Sequence, residues 1–169
     1  MNLSIATAQR ERGSCYEELP INQISDYPLL DACYRLWRDG CNGKQVPARL
    51  DPVELPRQIL PTVFLLDLER SPTRLRIRLA GTAICERHGR ELRGLTPEEF
   101  FDPEDARRVT EVALDAASTR RPSLARRSFV TMDDRLWTYT RLMLPLARGG
   151  GAVDSFFKAA DPASMQRIV

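Results

Sequence analysis

At 169 residues the chain has room for one hydrophobic core that needs neither disulfide staples nor a structural metal. Its 43% hydrophobic and 28% charged residues exclude a disordered or fibrous composition, and a formal net charge of +2 excludes a whole-molecule field directed at nucleic acid or an anionic membrane. No stretch approaches the ~20 apolar residues that cross a bilayer, and residues 1–13 lack the apolar centre of a signal peptide, so a cytoplasmic location is expected.

Residues 1–24 are polar without a sustained period and are expected to form a flexible arm. Ser25 and Asp26 can cap a helix over 28–39 that Gly40 stops. Tyr27, Leu30, Tyr34 and Trp37 recur at spacings of three or four and fall on one side of it, and Leu29, Cys33 and Leu36 widen the stripe. Pro47, Pro52, Pro56 and Pro61 then make a stiff connector, so that 25–60 reads as an N-terminal helical extension ahead of a core at 61–160. Strands at 62–68 and 74–80 join through a turn at Ser71 and Pro72. In the second strand Leu75, Ile77 and Leu79 alternate with Arg74, Arg76 and Arg78, giving one apolar face and one wet or partner-covered face.

Gly81 breaks that strand, a short helix over 82–88 ends at Gly89, and 97–101 makes a further turn. Pro103 suits the first position of a longer helix reaching about Ser118, with Asp102 as its cap, Glu104 and Asp105 in its first turn, and Val109, Val112 and Ala113 facing inward. Strands at 123–132, 136–146 and 152–159 complete the core, with hairpin turns at Asp133-Asp134 and Gly149-Gly150-Gly151, and 161–169 is a tail. Two strands, short helices, a longer helix and three strands make an α+β fold.

Several segments, in order over roughly residues 30 to 160, resemble a PAS-like family common in alphaproteobacteria. They are Leu36-Trp37, Pro47-Ala48-Arg49, Asp51-Pro52-Val53-Glu54-Leu55-Pro56, Leu60-Pro61, Arg78-Leu79-Ala80-Gly81-Thr82, Gly89-Arg90-Glu91-Leu92-Arg93-Gly94 and Leu144-Pro145-Leu146. The resemblance implies a five-stranded antiparallel sheet with short helices on one face enclosing a small cavity, and a role in sensing a ligand or binding a protein partner. With no kinase, cyclase or DNA-binding segment after the last strand, output is expected to pass through another molecule.

Catalytic chemistry is poorly supplied. One histidine, His88, and no G-x-S-x-G run argue against a nucleophilic triad, and the imidazole beside Gly89 is expected to satisfy a helix-end carbonyl. Haem ligation would need a histidine on the longer helix, which has none, and the surroundings of Cys85 do not match a flavin-attachment motif. Cys15, Cys33, Cys41 and Cys85 lack a CxxC pair, so reduced thiols, no metal and no cofactor are expected. Arg120, Arg121, Arg126 and Arg127 could hold a phosphate, but charges on a solvated strand edge explain them more cheaply, and no helix carries a basic face for DNA.

The segments expected to line the cavity carry Leu79, Ile84, Phe100, Phe101, Phe129, Trp137, Tyr139 and Met143, and Arg141 shares a strand face with Trp137, Tyr139 and Met143. Either these residues bind a small ligand, with Arg141 orienting an acidic group, or they fill the core while Arg141 points outward. The leading expectation is a regulatory PAS-type module, not an enzyme, binding a small molecule, a protein partner of a signalling pathway, or both. A small enzyme using the same cavity is the alternative from another class, and a cavity filled by side chains would favour a purely structural interaction module. The stripe of Tyr27, Leu30, Tyr34 and Trp37 is expected to pack on the outer sheet face, over Leu142 and Leu144, or on its twin in a homodimer.

Overall fold

The computed structural model describes residues 15–131 and 135–168; the expected arm before Cys15 and the turn at Asp133-Asp134 lie outside them. In chain order the elements are β1 (Cys15–Leu19), α1 (Pro28–Gly40), β2 (Val63–Arg70), β3 (Thr73–Ala80), α2 (Thr82–His88), α3 (Pro103–Thr119), β4 (Ser123–Val130), β5 (Leu136–Leu146), β6 (Ser155–Ala160) and β7 (Gln166–Ile168). The strands form one antiparallel sheet in the order β1-β4-β5-β6-β2-β3, and β7 pairs with the stretch of β5 that precedes its pairing with β6.

The five central strands are those the sequence predicts, and two more correct the expectation. Cys15–Leu19, expected in a loose arm, pairs with β4 from Cys15↔Ser128 to Leu19↔Leu124, and Ile21–Asp26 forms a 3-10 turn behind it. Gln166–Ile168, expected in a tail, adds to β5. Each covers hydrogen-bonding groups that a five-stranded sheet would leave open. The entry to α1 also differs: Tyr27 is its N-cap without a side-chain bond, and the Ser25 hydroxyl donates to Asn22 O at 3.4 Å instead. Pro28 starts the helix where its missing N–H costs nothing. In α3, by contrast, Asp102 caps as expected, accepting from the backbone N–H groups of Glu104 and Asp105 at 2.9 and 3.0 Å.

The sheet separates two layers. On its inner face lie α2, the short turn at Pro97–Glu99 and α3, whose buried stripe is Asp105, Ala106, Val109, Ala113 and Ala116. On its outer face lies α1, since Arg126, which shares the parity of Leu124, reaches the Tyr27 hydroxyl at 3.4 Å. Leu30, Cys33 and Trp37 join Leu124, Leu142 and Leu144 in one buried cluster. Gly81 lets the α2 entry approach the connector: a Cβ there would stand 2.3 Å from the Pro61 carbonyl oxygen. Gly89, at φ +69, ends α2 in the left-handed region.

Candidate functional site

Most of the residues expected to line a cavity come together on the inner face, and there they fill it. Ile84, Phe100, Phe101, Phe129, Tyr139, Arg141 and Met143 are all buried, with Phe100–Phe101 and Phe129–Tyr139 ring centroids 4.5 and 5.6 Å apart. His88 turns inward from the end of α2 and packs its imidazole among Phe100, Phe101 and Phe129, at 5.3, 5.5 and 5.3 Å. Among the described residues, one void of about 10 Å³ lies beside Arg141 and another beside Phe64, and Lys158 lines both. Each has room for about one water.

Two of the expected residues stand elsewhere. Leu79 is 46% exposed on the outer face. The register shift between Leu65 and Leu66 pairs them with Leu79 and Ile77, leaving Arg78 as an extra residue in β3 that reverses the alternation, so Leu79 leaves the face of Leu75 and Ile77. Trp137 is half-buried at the sheet rim, where the Arg87 guanidinium stacks on its ring at 4.5 Å and donates to the Met165 sulfur at 3.2 Å. Arg141, on the inner face with Tyr139 and Met143, is 2% exposed and donates to Ser123 O, Ser123 Oγ and the Tyr16 hydroxyl at 2.8, 3.0 and 3.0 Å.

Arg141 is one of three cations buried together on the inner face. Arg127 on β4 and Lys158 on β6 face the same way, 5% and 3% exposed. Sequence reasoning placed Arg127 with Arg126 on a solvated edge; the edge is covered by β1, and adjacent strand residues must point to opposite faces, so Arg126 stays outside near Glu17 while Arg127 turns in. Arg127 lies 3.8 Å from Asp105 and over the rings of Phe101, Phe129 and Tyr139. Burial holds the Lys158 amine well below its ordinary range, and the nearby guanidinium groups of Arg127 and Arg141 push it the same way. Burial raises the Asp105 carboxyl to about 6 against the pull of Arg127.

The thiols of Cys33, Cys41 and Cys85 are poor nucleophiles. Burial pushes Cys33 up to about 12, and desolvation also raises Cys85 and Cys41. Among the described residues no group of three or more His, Cys, Asp and Glu side chains could hold a metal ion. No helix among them is long and apolar enough to cross a membrane. The aromatic stripe of α1 is largely spent on its own sheet: Leu30 and Trp37 are buried, and Tyr27 and Tyr34 are half-buried.

A different apolar surface remains open. The connector and the outer faces of β2 and β3 enclose a groove of about 430 Å³, lined mainly by Leu50, Leu55, Leu60, Leu65, Leu79 and Phe157, with Arg49 and Arg78 also in its wall. Beside it a turn carries Val53, 91% exposed; Asp51 fixes this turn by accepting from Val53 N at 3.0 Å through its side chain and from Glu54 N at 3.1 Å through its carbonyl.

A PAS domain family matches residues 26–159, and the chain belongs to that family. No curated protein matches it.

Proposed function

We propose that this PAS domain is a regulatory module that works by protein contact, through the apolar groove on its outer face. The supporting observation is where open apolar space lies: about 10 Å³ in each of the two inner voids against about 430 Å³ in the groove. Sites for organic ligands occupy ~300 Å³ or more. A filled interior likewise favours contact over catalysis.

The occupant is a second copy of the chain. Val53 projects on a rigid turn between two exposed carboxylates, Asp51 and Glu54. The groove offers an apolar floor and the cations Arg49 and Arg78. Asp67 is shared by Arg78 and Arg148, at 3.4 and 3.5 Å, which leaves guanidinium charge to spare for an incoming acid. Across a two-fold axis the turn of each copy fills the groove of the other.

Light scattering at micromolar concentration tests this on the intact chain and on Leu79→Glu and Val53→Asp. A dimeric wild type is expected, with both variants monomeric and within about 0.5 kcal/mol of its stability, because both sites are exposed. A monomeric wild type, or a variant that still dimerises, removes the second copy from the groove.

A further inference from the structure

Three cations meet one carboxylate inside this fold. Arg127, Arg141 and Lys158 each sit at or below 5% exposure, and Asp105, 2% exposed, is the carboxylate among them. Within ion-pair distance Asp105 meets Arg127, at 3.8 Å. Arg141 is satisfied only by neutral oxygens, those of Ser123 and Tyr16. The Lys158 ammonium lies 5.4 Å from the centre of the Phe64 ring, and among the described residues Asp105 acts on it only from beyond ion-pair distance. Arg108, at the outer margin, already pairs with Glu104 at 3.4 Å. Buried charge without a counter-charge is expensive, and neutral oxygens leave the net charge unchanged.

The geometry supplies a place for the missing charge. Lys158 pairs with Met143, Arg141 lies two residues along the same strand, and Arg127 follows diagonally across the next, so their side chains converge from three adjacent strands. All three line the same void of about 10 Å³, closed above by Val109 and Val112 of α3 and at the side by Tyr16. The Tyr16 oxygen accepts from Arg141, which leaves its own proton to donate. We propose that this void binds one small monovalent inorganic anion of the halide class, held by Arg127, Arg141, Lys158 and the Tyr16 hydroxyl.

Size and lining select the class. A volume that admits about one water excludes sulfate, phosphate and organic acids, and the walls of Met143, Val109 and Val112 offer no donors to a strongly hydrated ion. The second void has Lys158 as its one cation, with Phe64, Leu66, Ile77 and Phe100 around it, and does not compete. The depressed Lys158 amine agrees: an anion would restore its charge. The site is independent of the outer groove.

The test uses the full-length protein exchanged into gluconate, with chloride or bromide replacing it at constant ionic strength so that screening does not change. Thermal stability is expected to rise with halide and to follow a one-site binding curve, unlike the non-saturating effect of bulk salt. A bromide-soaked crystal should show an anomalous peak in the void. Tyr16→Phe removes one donor at a half-exposed position and should weaken halide affinity about tenfold. Lys158→Met should abolish the saturable response. Identical stability in halide and gluconate, bromide found only outside the void, or equal halide affinity in wild type and Tyr16→Phe would each overturn the site, whether or not Lys158→Met folds.

Discussion

The Trp37 indole N–H donates to the Pro145 carbonyl at 2.8 Å, across 108 residues of sequence. The bond ties α1 to the end of β5 that runs past its pairing with β4, whose last partner there is Met143. Trp37 is 6% exposed, so the same residue supplies buried apolar area and a specific bond.

Trp37→Phe should therefore cost about 2 kcal/mol, mainly by leaving a buried acceptor unsatisfied, and Trp37→Ala roughly 3 to 5 kcal/mol. Urea unfolding measures both. An unmoved midpoint in Trp37→Phe would show that water replaces the indole without loss.

Gly81→Ala should destabilise by about 3 kcal/mol or more. Its Cβ would meet the carbonyl oxygens of Pro61 at 2.3 Å and Leu60 at 2.6 Å, both backbone atoms that cannot rotate aside. Its φ of −65° suits any residue, so the loss comes from the collision and not from backbone strain. Thermal unfolding decides it, and a change under 1 kcal/mol would mean that the connector shifts readily.

Asp105 makes stability fall as pH rises through the mildly acidic range. Its folded carboxyl stands at about 6 against an ordinary 3.8, so between these values the native state holds a proton that the unfolded chain releases. The contribution is complete below the ordinary value and lost above about 6, a change on the order of 3 kcal/mol. Glu69 acts oppositely: bonds from Arg76 and Arg74 hold it down at about 2, and its contribution, present above its ordinary 4.5, is lost as pH falls. Comparison with Asp105→Asn isolates the first effect. Wild type should lose ground to the variant between about pH 4 and 6, and a constant difference across that window contradicts the assignment.

What the sequence revealed and what it hid have separate physical causes. α1, α2, α3 and the strand at Leu136–Leu146 carry strong periods, caps or glycine stops, and they occur where those signals place them. β1 and β7 are five and three residues long and mostly exposed, so they have no alternation to read and exist because a neighbouring strand offers hydrogen bonds. Arg141 was readable from the parity of its strand. Arg127 was readable in principle, since of two adjacent arginines in a strand one must face inward. Lys158 was not: all six residues of Ser155–Ala160 are buried, and a strand covered on both faces shows no polar side. The displacement of Leu79 required knowledge of a pairing irregularity that its own apolar alternation conceals.

The position of β6 governs how the molecule assembles. It joins the β2–β3 hairpin to the β4–β5 hairpin, yet it is the last of the five central strands along the chain. Thr62 Oγ1 donates to Ala160 O at 2.6 Å across 98 residues, and the first strand of the core finds its second neighbour only there. Until β6 arrives, the two hairpins share no edge, and the chain must close a long loop before that closure gains any contact. Folding is therefore expected to be slow for a domain of this size, with the apolar edges of both hairpins open until β6 joins them.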